Sequence, residues 1–109
     1  MQQQVSSTYQ LGASICEDTV RATRSAEMIK ALSHPIRLQI VALLCAGPTH
    51  VTAMAEGLGL KQSIVSQQLR ILRMSSLVAR ERQEGFTYYH LVEPRLRELI
   101  RCVEGYDLH

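Results

Sequence analysis

The chain has no tryptophan and only five aromatic residues in 109, so it lacks the stacking side chains that line sugar clefts and single-strand grooves. No apolar run approaches a membrane span, and the first ten residues, MQQQVSSTYQ, lack the basic-then-apolar order of a signal peptide. Neither an anchor nor export is expected. The three cysteines, Cys16, Cys45 and Cys102, are odd in number, widely spaced and without a C-x-x-C pair. That usage suits a reducing cytoplasm, the expected location, better than a disulfide framework. A Gly-rich phosphate loop, a G-x-S-x-G elbow, an H-E-x-x-H motif and paired carboxylates are also missing, so no enzyme is expected.

A further absence is local. Net charge is only +2, yet from Gly57 to Arg80 there is no Asp or Glu, while Lys61, Arg70, Arg73 and Arg80 all fall inside that window. Glu56 and Glu81 bracket it. Wound as a helix, KQSIVSQQLRILR places Val65, Leu69 and Leu72 on one side, flanked by Ile64, Gln68 and Ile71. The other side carries Gln62, Ser63, Ser66, Gln67, Arg70 and Arg73. A solvated helix face normally mixes acids with bases. A face of amides, hydroxyls and guanidiniums instead suits a polyanion whose base edges are read by hydrogen bonds.

The rest of the chain supplies a setting for that helix. Residues 1–15, rich in Gln, Ser and Thr, are expected to form a flexible arm, and residues 16–109 a single domain. Asp18 or Thr19 can cap a first helix with Val20, Ala26, Ile29 and Leu32 as apolar positions. Ser33-His34-Pro35 reads as a break, with Ser33 as the next N-cap and Pro35 in the first turn of PIRLQIVALLCAGP. THVTAMAEGLGL is a short helix stopped at Gly59, separated from the reading helix by a turn. Two short helices joined in this way form a helix-turn-helix. LVARERQEGFTYYHL then reads as a β-hairpin bent at Gln83–Phe86, and Glu93-Pro94 opens an amphipathic last helix with Leu96, Leu99, Ile100 and Val103 on one stripe. The predicted fold is mainly α with a β-hairpin wing: a winged helix-turn-helix with a helix at each end free to pair with a second copy.

Three ordered segments, ALSHPIRLQIVALL, VTAMAEGLGLKQSIVSQQLRILRMSSLV and EGFTYYHL, carry a resemblance to the ArsR/SmtB family of bacterial transcriptional repressors, spanning Ile29 to Cys102. The resemblance implies a homodimer built on the first and last helices and released from double-stranded operator DNA by an inducer. Val20, Ile29, Leu96, Leu99, Ile100 and Val103 would lie at the dimer interface. Lys61, Gln62, Ser63, Ser66, Gln67, Arg70 and Arg73 would face DNA, with Arg80 and Arg82 of the wing reaching backbone or minor groove. One departure is Met74-Ser75-Ser76, where relatives usually place a glycine, so a tighter or different helix end is expected.

The resemblance brings several sensing sites with it, and this chain departs from each. The third-helix thiolate pair is absent from THVTAMAEG. In the last-helix metal site Glu93 supplies a carboxylate, but Arg95 and Tyr106 stand where histidines would be, leaving His109. His34, His50 and His90 read as a cap-region, a loop and a strand residue. Relatives that sense oxidants or persulfides pair one cysteine from the second helix with one from the last, which points to Cys45 and Cys102, though both are displaced from the relatives' positions. The expected signal is thiol-based, an oxidant or reactive sulfur species. A thiophilic metalloid such as arsenite, with Cys16 completing a three-thiolate site, remains open. So do inert packing of these cysteines and a winged-helix protein-interaction module with no small-ligand switch. The sequence names no metal and no certain cofactor.

Overall fold

The computed structural model describes residues 14–106. Most of the expected arm, and His109, therefore lie outside the described residues. The chain divides into two compact units, Met1–Lys30 and Ala31–His109.

In the first unit Ser14 Oγ accepts a 3.1 Å hydrogen bond from the Cys16 N–H and opens a short 3-10 turn, Ile15–Glu17. Asp18 then caps helix α1 (Thr19–Leu32): its Oδ1 accepts from the Arg21 N–H at 3.0 Å. Val20 and Ile29 on α1 are exposed.

The second unit takes up the end of α1, where Ala31 and Leu32 are buried. Helix α2 (Pro35–Leu44) starts at Pro35, as expected, but its N-cap is His34 rather than Ser33. A residue before proline is driven extended. His34 obeys (φ −158°, ψ 133°), and its Nδ1 accepts from the Ile36 N–H at 3.1 Å. Helix α3 (Val51–Leu58) ends at Gly59, whose φ of 67° is the left-handed stop that the sequence suggests. Helix α4 (Gln62–Met74) follows after Leu60 and Lys61, completing the helix-turn-helix. Strands β1 (Val78–Gln83) and β2 (Phe86–Leu91) pair antiparallel from Val78↔Leu91 to Gln83↔Phe86. Glu84 and Gly85 between them have φ of 50° and 88°, positive at both positions, as a two-residue turn that follows strand twist requires. Helix α5 (Leu96–Glu104) closes the unit.

Helix α2 is the hub: α3, α4, α5 and β2 all pack on it. Its Ile40, Val41 and Leu44 meet a core that includes Met54 and Ala55 of α3, Val65, Leu69 and Leu72 of α4, Val78, Tyr89 and Leu91 of the hairpin, and Leu96 and Ile100 of α5. The last two revise an expectation. Leu96 (1% exposed) and Ile100 (5%) are used inside the chain, so only half-buried Leu99 and exposed Val103 of that stripe remain for a second copy.

The end of α4 revises another. Ser76 takes up φ of 63° without being glycine, its N–H bonds to the Arg73 carbonyl, and the Leu77 N–H reaches back five residues to the Leu72 carbonyl, both at 3.0 Å. This is the left-handed stop in which two backbone bonds recapture orphan carbonyls. The turn is the one glycine would make. Burial of Leu77 holds serine in it against a left-handed penalty of about 1–2 kcal/mol. Ser76→Gly relieves that penalty and forfeits about 0.4–1 kcal/mol of unfolded-state entropy. The expected net gain is about 0.5–1 kcal/mol, read as a rise in urea midpoint at unchanged m-value; a lower midpoint would show that serine is unstrained there.

Candidate nucleic-acid interface

The burial of one side of α4 determines what its other side presents. Val65, Leu69 and Leu72 are 0% exposed. Burying each stabilises the fold by about 1.5–3 kcal/mol relative to exposure. That stripe fixes the rotation of the helix, and Gln62, Ser63, Ser66, Gln67 and Arg70 stand exposed on the remaining surface, beside exposed Lys61. Arg73, expected with them, is half-buried at the edge of the core, and its Nε is buried without a partner. Lys61 occupies the N-cap position and makes no side-chain capping bond, so no side chain of the cap competes for the first amides of α4.

The only ion pair among the described residues joins Arg95 to Glu93. Lys61, Arg70, Arg80 and Arg82 therefore have no carboxylate partner among those residues, and their charge is available to an external anion. In the wing the strand alternation sorts the side chains. Arg80 and Arg82 share one face with Tyr89 and Thr87, their cross-strand partners, while Glu81 and Gln83 share the other with Tyr88 and Phe86.

Two residues that sequence reasoning did not single out for this site help to position it. Arg37 on α2 donates from Nε to the Ala31 carbonyl at the end of α1 and from Nη1 to Gln68 Oε1 at 2.8 Å. One half-buried guanidinium thus satisfies a helix C-terminal carbonyl and the inward amide of α4. An arginine inside the otherwise apolar PIRLQIVALL was the available signal. His50, expected in a loop, is the N-cap of α3: its Nδ1 accepts from the Ala53 N–H at 3.3 Å. Its ring also stacks on Phe86 with centroids 5.0 Å apart and meets the edge of Tyr88 at 5.5 Å.

The candidate sensing residues are more dispersed. Glu93 is engaged by Arg95 through a guanidinium fork, Nε to Oε2 at 2.9 Å and Nη2 to Oε1 at 3.1 Å, with the Arg95 N–H on Oε2 at 3.0 Å. These bonds hold its carboxyl at about 2, well below the usual range. A cation of the protein's own thus occupies the carboxylate that a metal would need. Among the described residues no three His, Cys, Asp or Glu side chains converge as a metal site. Cys45 is half-buried at the C-cap of α2, Cys102 and Cys16 are exposed, and all three are free thiols. The Arg97 Nε–H donates to the Cys45 carbonyl at 3.3 Å, tying α5 to the end of α2. Burial pushes the Cys45 thiol up, and the Arg97 charge opposes that shift.

Comparison with known proteins places this arrangement. Residues 34–80 match the family model described as "Bacterial regulatory protein, arsR family". The chain is 35% identical over 83 residues to the biofilm growth-associated repressor of Xylella fastidiosa, covering 76% of this chain and 73% of that protein. It is 39% identical over 83 residues to the HTH-type transcriptional regulator NmtR of Mycobacterium tuberculosis, covering 76% and 69%. The solution structure of the homodimeric winged helix-turn-helix DNA-binding domain of Mb0332 from Mycobacterium bovis superposes with a TM-score of 0.70 at 29% identity, covering 79% of this chain and 80% of that one.

The raised thiol of Cys45 has a measurable consequence. A thiol pushed above its ordinary value forms thiolate later as pH rises, and the thiolate is the nucleophile. Alkylation followed by mass spectrometry should find Cys45 slower than Cys16 at neutral pH, its rate still climbing above pH 9.0, the ordinary thiol value. Arg97→Ala should slow it further, because the opposing charge is lost. Equal rates for Cys45 and Cys16 at neutral pH would contradict the burial.

Proposed function

The chain belongs to the arsR family of bacterial regulatory proteins, and from that premise we propose that it is a homodimeric repressor that binds duplex operator DNA through α4 and the wing and is released by a thiol-based signal. It is a transcriptional regulator and not an enzyme. The observation that carries the DNA reading is the acid-free exposed face of α4, held out by a buried stripe on its other side. Gln67 and Arg70 would read base edges, with Gln62, Ser63 and Ser66 on bases or phosphates and Lys61, Arg80 and Arg82 on the backbone. Half-buried Arg73 would contribute charge at the helix end. A protein-interaction module would have no reason to exclude carboxylates from that face.

The second copy would pair through α1 and α5. Val20 and Ile29 on α1 are exposed at 62% and 58%, and Val103 and Tyr106 near the chain end at 48% and 70%. Such side chains in a small domain favour an isologous partner. For release, the packing of α5 on α2 brings the helices of Cys45 and Cys102 together, and a modification there would bear on the contact between an outer helix and the hub. Cys102, exposed, is the more accessible of the two. The arsenite-type alternative needs a third ligand, for which Cys16 is the candidate thiol.

Operator sequences selected from a randomised duplex pool provide the test. Gln67→Ala and Arg70→Ala should each cost about 1–3 kcal/mol on the selected site and far less on random DNA. Arg80→Ala and Arg82→Ala should weaken both equally and make the salt dependence shallower by roughly 0.9 per lost phosphate contact. Oxidant or persulfide should release the parent and spare Cys45→Ser and Cys102→Ser. Release by arsenite alone would select the metalloid reading, and unchanged response of both serine variants to every treatment would remove thiols from the mechanism.

A further inference from the structure

The wing is attached to the helix-turn-helix by a device that a repressor's outline does not call for. Just before α3, Thr49 pairs with Tyr89 of β2 as an isolated bridge: the Tyr89 N–H donates to the Thr49 carbonyl at 2.8 Å and the Thr49 N–H to the Tyr89 carbonyl at 3.2 Å. Immediately after it, the ring of His50 lies on Phe86, nearly parallel at 24°, and against the edge of Tyr88 at 81°. Phe86 and Tyr88 also meet each other edge to face at 6.4 Å. The bridge grips the middle of β2, and the ring cluster grips its first residue, beside the Glu84–Gly85 turn.

We propose that His50 is a positioning residue for DNA binding, one that fastens the outer end of the wing to the N-terminus of α3 and so sets where Arg80 and Arg82 point. The inference deepens the DNA reading and rests on it. Its geometric basis is the alternation of the hairpin. Phe86 and Tyr88 lie on the face shared with Glu81 and Gln83, so the face that meets His50 is opposite the one that carries the two arginines. A two-stranded ribbon is marginally stable alone, and its outer residues, Arg80 to Phe86, are exposed. Beyond the Thr49–Tyr89 bridge and the buried root, the ring contact of His50 braces this outer stretch.

His50 is suited to the task because it has two separate attachments. Its Nδ1 caps α3 through Ala53, which fixes the imidazole relative to the helix, and its ring faces the wing. The bond to Ala53 requires an unprotonated Nδ1. No carboxylate lies within salt-bridging distance of the ring among the described residues; the titratable neighbours on the wing side are Tyr88, at its edge, and Glu81, directly across the ladder from Tyr88. The two attachments can be dissected. His50→Asn keeps an N-cap acceptor and loses the ring, whereas His50→Phe keeps a ring and loses the cap.

The test uses the full chain at neutral pH, with a labelled mixed-sequence duplex as probe. His50→Asn should melt with the parent, yet bind the duplex about three- to tenfold more weakly, with a salt slope shallower by roughly one phosphate contact, about 0.9. His50→Phe should melt earlier and bind within about twofold of the parent, a rescue that a purely capping role would not produce. Phe86→Leu removes the stack from the wing side and should reproduce His50→Asn, with the double variant no weaker than either single one. In free protein, the Phe86 and Tyr88 ring-proton signals should move in His50→Asn and the amides of residues 82–87 should gain fast motion. Parental affinity and salt slope in His50→Asn, full additivity in the double variant, or unmoved ring signals would each overturn the proposal. Failure of the parent to bind any duplex would instead refute the DNA reading, while the ring signals still report whether His50 holds the wing.

Discussion

The burial of Val65, Leu69 and Leu72 against α2 is the constraint on which the rest depends. Each residue turns a helix by about 100°, so a one-residue slip in rotation would carry Gln68 toward the core and Leu69 toward solvent. Ile64 and Ile71 would take two of the vacated places, so the slip is opposed chiefly by exposing Leu69, about 1.5–3 kcal/mol, and by burying the Gln68 amide away from Arg37. The polar face gains its direction from this and contributes little to stability itself. Its residues can then be chosen for what they contact.

Apolar packing does not, however, locate every part of the surface. Where the helix-turn-helix meets its neighbours, two polar side chains make the connections. Arg37 joins the last turn of α1 to α4 through a carbonyl and an amide, and His50 joins α3 to the hairpin through an amide and a ring. Both are half-buried, where a hydrogen bond is stronger than in open water and still tolerates a polar group. The hydrophobic core sets the positions of the helices, and these contacts set the orientation of what they carry.

Much of this was legible in the sequence. The 3.6-residue period of α4, the left-handed stop at Gly59 and the Glu84–Gly85 turn are local, and local rules suffice for them. The exposed face of α4 followed from its period together with the missing carboxylates, with half-buried Arg73 the exception. What stayed hidden depended on neighbours distant in sequence. Leu96 and Ile100 share a stripe with Leu99 and Val103, and nothing in the stripe says which half meets α2 and which half is left outside. The partners of Arg37 lie up to 31 positions away, and those of His50 in a hairpin whose register sequence alone does not fix against α3. Ser33 was the expected cap, and the steric effect of Pro35 on the residue before it gave that place to His34.

The hairpin divides its work unevenly along its length. Val78, Tyr89 and Leu91 at its root are buried, whereas the stretch from Arg80 to Phe86 is exposed and adds almost nothing to the core. Substitutions at Arg80, Arg82 or Gln83 therefore carry little folding penalty, usually within about 0.5 kcal/mol. Charge can be added to or removed from the wing tip without unfolding the scaffold, and such a change would alter how firmly the chain holds duplex of any sequence. Stability and grip are thereby set by different residues, and one can be tuned without disturbing the other.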